Sequence, residues 1–322
     1  MTRIFQKEKD SSNSYVSLNM DFIRVGDYLI FTIFIKKMNK YIIMLEEGTI
    51  LTYQLVQKIK RQALLYISKK DEYKQHLNPL SLKYHIRYNQ DNYPKTLELL
   101  SVINNEIFTE YLNSEDDIFD LESIKSLVKA IIYLIKDNNK YLKNIMPLFE
   151  SQTNYELSTH SLNVAIYSIN LGNALHFDTH KLLHLGVASL LHDIGIKNIN
   201  DDIVKKSSSL SLAELEVIHH HPEYSVDIMK HNKISNEKIL DAVLHHHENC
   251  DGSGYPDGLR IEDISDFASI ISIVDVFDAL TNSRPHRKAY SSFDALKMMM
   301  KDKNMLHKFN HSYIQMFLHT LE

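Results

Sequence analysis

A chain of 322 residues exceeds the length at which a single hydrophobic core usually stops growing, so two domains are expected. A formal charge of -5 supplies no basic field for a long nucleic acid and excludes polynucleotide binding as the main role, while leaving room for a small anionic ligand at a local metal and arginine cluster. The single cysteine, Cys250, excludes an intramolecular disulfide and a cysteine-rich zinc site and fits a reducing cytoplasm.

In chain order, residues 22–25, 28–35 and 41–45 read as strands separated by turn signals at Gly26-Asp27 and Gly48. None of these apolar runs approaches the roughly 18 residues needed to span a bilayer, so no membrane partner is expected. The N-terminus lacks the apolar stretch and cleavage site of a signal peptide. Thr52 is placed to cap a helix over 53–65, where Leu55, Ile59, Ala63 and Leu64 share a face, and a strand over 65–68 follows. A helix over 93–112 extends this small α+β module, which is taken as residues 1–115.

Apolar positions over 121–149, interrupted at Asp137-Asn138-Asn139, predict two helices and a helical linker over 116–150. This segment either pairs with its own copy in a homodimer or packs on the next domain; without a sustained heptad, packing is preferred. From Tyr155 the pattern is helical at 161–175, 179–191, 212–229, 236–246, 268–280 and 293–300. The expected fold is therefore an α+β N-terminal module followed by an all-α helical domain over 151–322.

Most histidines fall between His160 and His247, several of them beside acids. His192-Asp193 ends an apolar helix and runs into Ile194-Gly195, offering an imidazole and a carboxylate to one site. Glu156 and His160 stand four residues apart and share a helix face. His221-Pro222 follows a helix, and His246-His247-Glu248 leads into Asp251-Gly252-Ser253-Gly254-Tyr255-Pro256. Asp275, between Val274 and Val276, and Asp278 lie in an apolar helix, where a buried carboxylate needs a partner or a metal.

These motifs, in this order and with Val274 to Thr281 followed by Arg284-Pro285, resemble the HD-GYP family, a branch of the HD phosphohydrolases, over roughly the second half of the chain. The resemblance implies that His160, His192, Asp193, His221, His246, His247 and Asp275 bind two divalent metals, often iron or manganese, and that Glu156 accompanies a third. Mixed imidazole and carboxylate donors without thiolate suit iron, manganese or zinc in octahedral-like sites better than a structural tetrahedral zinc. Asp193 is expected to bridge the pair, with the hydroxide between them attacking a phosphodiester and His192 and Asp193 at the centre of catalysis. In the Gly252 to Pro256 loop, Gly252 and Gly254 allow close approach of a ligand, and Tyr255 beside Pro256 is expected to lean on a base or ribose. Arg284 and Arg287 are expected to grip a second phosphate.

His176, His180 and His184 form a ladder that matches no ligand position of the family and reads as a polar helix face. His219, His220 and His245 are set aside because neighbours on a helix point about 100° apart and the family's register, as the resemblance implies it, selects His221, His246 and His247. The family usually carries a lysine directly after His-Asp-Ile-Gly; Ile196 occupies that position and Lys197 the next. The implied function is a metal-dependent cyclic di-GMP phosphodiesterase. The alternatives are a cyclic-dinucleotide sensor with weak turnover and the same hydrolysis on cyclic GMP-AMP. The N-terminal module is left as a sensory unit or a docking site for a protein partner.

Overall fold

The computed structural model describes residues 14–20, 23, 25–26, 29–62, 64–76, 93–137, 157–206, 208–283 and 287–321. The chain divides into two compact units, Met1–Tyr88 and Asn89–Glu322.

The first unit holds a four-stranded antiparallel sheet of β1 (Tyr15–Ser17), β2 (Ile33–Lys37), β3 (Lys40–Leu45) and β4 (Tyr66–Ser68), in the order β1-β4-β2-β3. Met38 and Asn39 take left-handed φ values of 47° and 62°, which suits the tight hairpin pairing Lys37 with Lys40. Helix α1 (Tyr53–Lys60) is capped by Thr52 and ends five residues before the expected limit. Its Val56 and Ile59 join Ile33, Leu51 and Ile67 in the core. Of the expected strand at 22–25, residues 22 and 24 lie outside the described residues, and Ile23 and Val25 belong to no strand.

The second unit contains α2 (Tyr93–Leu112), α3 (Leu121–Asp137), α4 (Leu157–Ala174) and α5 (Thr179–Leu191), then a short 3-10 turn at Ile194–Asn198. It continues with α6 (Asp201–Val204), α7 (Leu212–His219), α8 (His221–His231), α9 (Glu237–Leu244), α10 (Asp266–Thr281), α11 (Ser292–Lys301) and α12 (His311–Leu321). The break between units falls at 88/89, not 115, because α2 packs on α3 and α4. Its Tyr111 hydroxyl donates to Ile194 O at 3.2 Å and Asn104 Nδ2 donates to Ser158 O at 2.6 Å. Helix α3 lies in the same unit, and the second expected linker helix falls outside the described residues.

Helix α4 is the hub, with residues 160–172 all buried against α2, α3, α5, α10 and α12. The helix expected over 212–229 is two helices. His220 closes α7 by donating its backbone N–H to Ile218 and Val217 carbonyls, and Pro222, with no N–H to extend that ladder, is the second residue of α8. Helix α12 was not anticipated; it buries Ile314 and Phe317, whose ring meets Phe277 edge-on at 5.0 Å. Among the described residues no helix is long and apolar enough to cross a membrane.

Candidate metal centre

Five helices deliver the candidate side chains to one place. His160 comes from the first turns of α4, His192 caps the C-terminus of α5 with Asp193 directly after it, and His221 opens α8. His246 and His247 follow the end of α9, and Asp275 lies on α10. The chain can turn after Asp193 because residue 195 is glycine: a Cβ there would sit 2.3 Å from His221 O and 2.4 Å from Ser225 N. Ser225 clamps the turn, accepting from Gly195 N at 2.9 Å and donating to His192 O at 2.8 Å.

The side chains form two groups whose ligand atoms lie close together: Asp193, His221, His246 and His247; and His160, His192 and Asp275. Asp193 serves both. Its Oδ1 lies 3.1 Å from His221 Nε2 and 3.6 Å from His246 Nε2, and its Oδ2 lies 3.4 Å from His192 Nε2 and 3.7 Å from His160 Nε2. Asp275 Oδ1 stands 3.2 Å from His160 Nε2, and its Oδ2 stands 3.9 Å from His247 Nδ1. Exposure falls from 25% at the His247 side chain and 13% at Asp275 to 8% or less at Asp193, His160, His192, His221 and His246, so the centre opens on the His247 side.

The protons of these rings are committed elsewhere. His192, His221 and His246 each direct Nδ1 at a backbone carbonyl three residues earlier, Ser189 O at 2.8 Å, Ile218 O at 2.7 Å and Val243 O at 2.7 Å. An Nδ1–H donor leaves a lone pair on Nε2. His160 Nδ1 faces Asp278 Oδ2 at 2.7 Å in the same manner. The Nε2 atoms then meet at 3.2 Å for His160 and His192 and 3.3 Å for His221 and His246, and among the described residues buried Asp193 Oδ1 has no hydrogen-bond partner. Lone pairs and carboxylates converging in a dry pocket repel one another unless a cation lies between them. The donor set therefore fits divalent metal ions.

Without a metal, protons must supply part of that positive charge. Burial works against a charged His160, but hydrogen bonds to Asp275 and Asp278 carry its pKa up to about 10. Burial likewise opposes charge on His221, and Asp193 raises it. Burial drives His192 down to about 4 and His247 well below the usual imidazole value. Asp193 and Asp275 are held below the usual carboxylate range despite burial, because imidazoles surround both.

Other expectations meet the structure unevenly. Glu156 and Arg284 lie outside the described residues. Arg287 does not point to a phosphate grip: its guanidinium donates to Leu280 O at 2.9 Å and to Ala279 O, covering the last carbonyls of α10. Gly254 sits where a Cβ would come within 2.3 Å of Asn249 N, so the loop through Gly252 and Pro256 presses against the His246-His247 turn. Tyr255 stacks on His247 at 4.8 Å and 29° and on His219 at 3.9 Å and 16°, so imidazoles already pack on the ring that was expected to lean on a base. Glu248 ties this loop down, accepting from Asp257 N at 2.7 Å and Leu259 N at 2.9 Å. His245 bridges Asp241 and Asp257, a structural placement, and His180 packs on His184 at 4.1 Å on α5. Lys197 turns away from the centre: its Nζ donates to Ser114 O and Asp117 Oδ1 at 2.7 Å each and to Tyr111 O at 3.2 Å. Asp278, expected with Asp275 to need a partner or a metal, has His160 as its partner; Ser225 was missed, and nothing in the sequence marked it.

An all-helical domain that gathers imidazoles and carboxylates from several helices around an adjacent His-Asp pair defines the HD class of metal-centre proteins. A family model described as HD domain matches residues 141–308, just over half of the 322 residues. The chain belongs to the HD domain family. It is 34% identical over 140 residues to a cyclic di-GMP phosphodiesterase of Pseudomonas aeruginosa, covering 44% of this chain and 34% of that protein. To the cyclic di-GMP phosphodiesterase PdeB of Borreliella burgdorferi it is 32% identical over 168 residues, 52% of this chain and 43% of that one. A 3'3'-cGAMP-specific phosphodiesterase of Vibrio cholerae is 32% identical over 212 residues, 64% of this chain and 45% of its own. The matched segments thus span between a third and a half of these relatives' lengths. A solved HDG"Y"P protein from Bdellovibrio bacteriovorus shares the fold, with a TM-score of 0.60 at 21% identity over 95% of this chain and 99% of that one.

Proposed function

We propose that this chain is a cytoplasmic metal-dependent phosphodiesterase that hydrolyses a 3'-5' linkage of a cyclic dinucleotide, cyclic di-GMP first. The observation that carries the reading is Asp193, which presents one carboxylate oxygen to each of two buried ligand groups. In this reading His160, His192 and Asp275 would hold one ion and His221, His246 and His247 another, Asp193 would serve both groups, and the donor chemistry would prefer iron or manganese. Glu156 remains the proposed companion of a third ion. Bound divalent cations supply Lewis acidity, which lowers the pKa of water and offsets charge on phosphoryl oxygens.

The protein's own residues supply position and dryness. Asp278 orients His160, and the three backbone carbonyls orient His192, His221 and His246. A dinucleotide would approach from the open side, past His247 and Asp275, where the Gly252 to Pro256 loop forms the wall. Arg284 stays a proposed phosphate contact, and Arg287 is left out of that set because its donors are engaged.

A second reading, a cyclic-dinucleotide sensor with low turnover, draws support from one observation. Ile196 brings no charge to the centre and Lys197 is pinned to the α2–α3 connection. The N-terminal unit would then pass the signal to a protein partner or a second copy of the chain. One experiment separates the readings. Purified protein loaded with iron or manganese is given cyclic di-GMP and 3'3'-cGAMP, and the products are resolved by chromatography beside a His192→Ala, Asp193→Ala double variant. Linear dinucleotide or mononucleotide above the double variant supports hydrolysis; binding without cleavage supports the sensor.

A further inference from the structure

We infer that His219 and Tyr255 form an aromatic brace that positions His247, making His219 a positioning residue for one of the two ligand groups. The inference rests on the proposed metal centre.

The four other imidazoles of the centre are each aimed by a hydrogen bond from Nδ1, three to backbone carbonyls and His160 to Asp278. His247 differs. Among the described residues its ring has no such anchor, and the nearest carboxylate oxygen, Asp275 Oδ2, is 3.9 Å from Nδ1. It is also the most exposed of the set, at 25% of its side chain. An imidazole on a turn with no hydrogen bond to fix χ2 must be held by packing.

That packing comes from stacked rings. His247 packs edge-on against His221 at 4.9 Å and tilted against His246 at 4.0 Å, Tyr255 stacks on it from outside the centre at 4.8 Å and 29°, and His219 stacks on Tyr255 at 3.9 Å and 16°. The order His219, Tyr255, His247 is a three-ring stack that ends on the ligand. Tyr255 is fixed from below as well: Gly254 leaves no space for a Cβ against Glu248 Cα at 2.4 Å and His247 O at 2.6 Å, and Tyr255 N donates to His247 O at 3.3 Å. His219 is the last residue of α7, and the helix break at His220 turns its ring toward this loop while His221 enters the centre. Two histidines that differ by two positions therefore serve one site, one as ligand and one as outer support.

The stack predicts a selective defect. Removing one aromatic partner should weaken the ion held with His247 by roughly 3- to 10-fold, the scale of one aromatic pair, and leave the ion at His160, His192 and Asp275 in place. The test uses the full chain, loaded with manganese and dialysed against graded chelator, with metal per chain counted and the fold checked by circular dichroism. His219→Ala and Tyr255→Ala are expected to release one ion at a lower chelator concentration than wild type. His219→Phe and Tyr255→Phe, which keep flat rings, are expected to follow wild type. Should His219→Ala fail to fold, His219→Leu against His219→Phe makes the same comparison at similar volume. A folded His219→Ala or His219→Leu chain whose release curve overlays wild type overturns the brace. A wild-type chain that holds no metal overturns the centre itself, a distinct result.

Discussion

Asp278→Asn separates support of the centre from stability of the fold. Asp278 is 1% exposed, and its oxygens accept from His160 Nδ1 at 2.7 Å and Asn163 Nδ2 at 2.8 Å. An asparagine of the same shape has one acceptor and one donor group. If its oxygen stays toward His160, its amide nitrogen meets Asn163. Asn163 can answer by turning over, since its Oδ1 has no hydrogen-bond partner among the described residues. The fold therefore survives, and the loss falls on His160, which exchanges a charged acceptor for a neutral one. Outer partners of metal-bound histidines typically contribute about 10- to 100-fold in metal affinity, or about 1.4 to 2.8 kcal/mol. Competition with a chelator, read as metal per chain, should show that weakening alongside a native circular dichroism spectrum. A variant that retains metal as wild type does would refute the carboxylate–imidazole support.

Three further outcomes follow from the same geometry. Gly254→Ala forces a Cβ to within 2.3 Å of Asn249 N and 2.6 Å of His247 O, so the loop must move and phosphodiesterase activity should fall at least about tenfold, checked by initial rates at saturating metal. Ile196→Lys places an ammonium at the position where the family usually carries one; turnover should rise, by as much as about 10²-fold if it acts like an oxyanion donor, and unchanged kinetics would remove that explanation. Metal loading should release protons: His160, with its pKa carried up to about 10, is charged at neutral pH in the metal-free chain and must lose that proton to ligate. Affinity should thus fall as pH falls, and calorimetry in buffers of different ionisation heat should detect the release near pH 7.

The candidate ligands were legible because most of them sit in short motifs whose order survives in the chain: His192-Asp193, His221-Pro222, His246-His247 and the acid at 275. All seven described candidates converge. What the linear pattern hid was the second layer, which depends on distant chain segments. Lys197 stands next to the position of the absent lysine, but the end of α2 and the segment after it, some eighty residues earlier, supply it with three acceptors away from the centre. Arg287 looked like a phosphate grip, yet the open carbonyls at the end of α10 take its donors. His219 was set aside because the family's register selects His221, and only the fold of the Gly252 to Pro256 loop brings Tyr255 against it. Helix α2 was assigned to the N-terminal module because its periodicity shows an apolar face without showing which partner covers it.

Anomalous scattering from crystals of the manganese- or iron-loaded chain tests the centre most directly. Two peaks are expected, one among His160, His192 and Asp275 and one among His221, His246 and His247, with Asp193 between them. Metal-replete crystals with no anomalous peak within these groups would contradict the proposed centre.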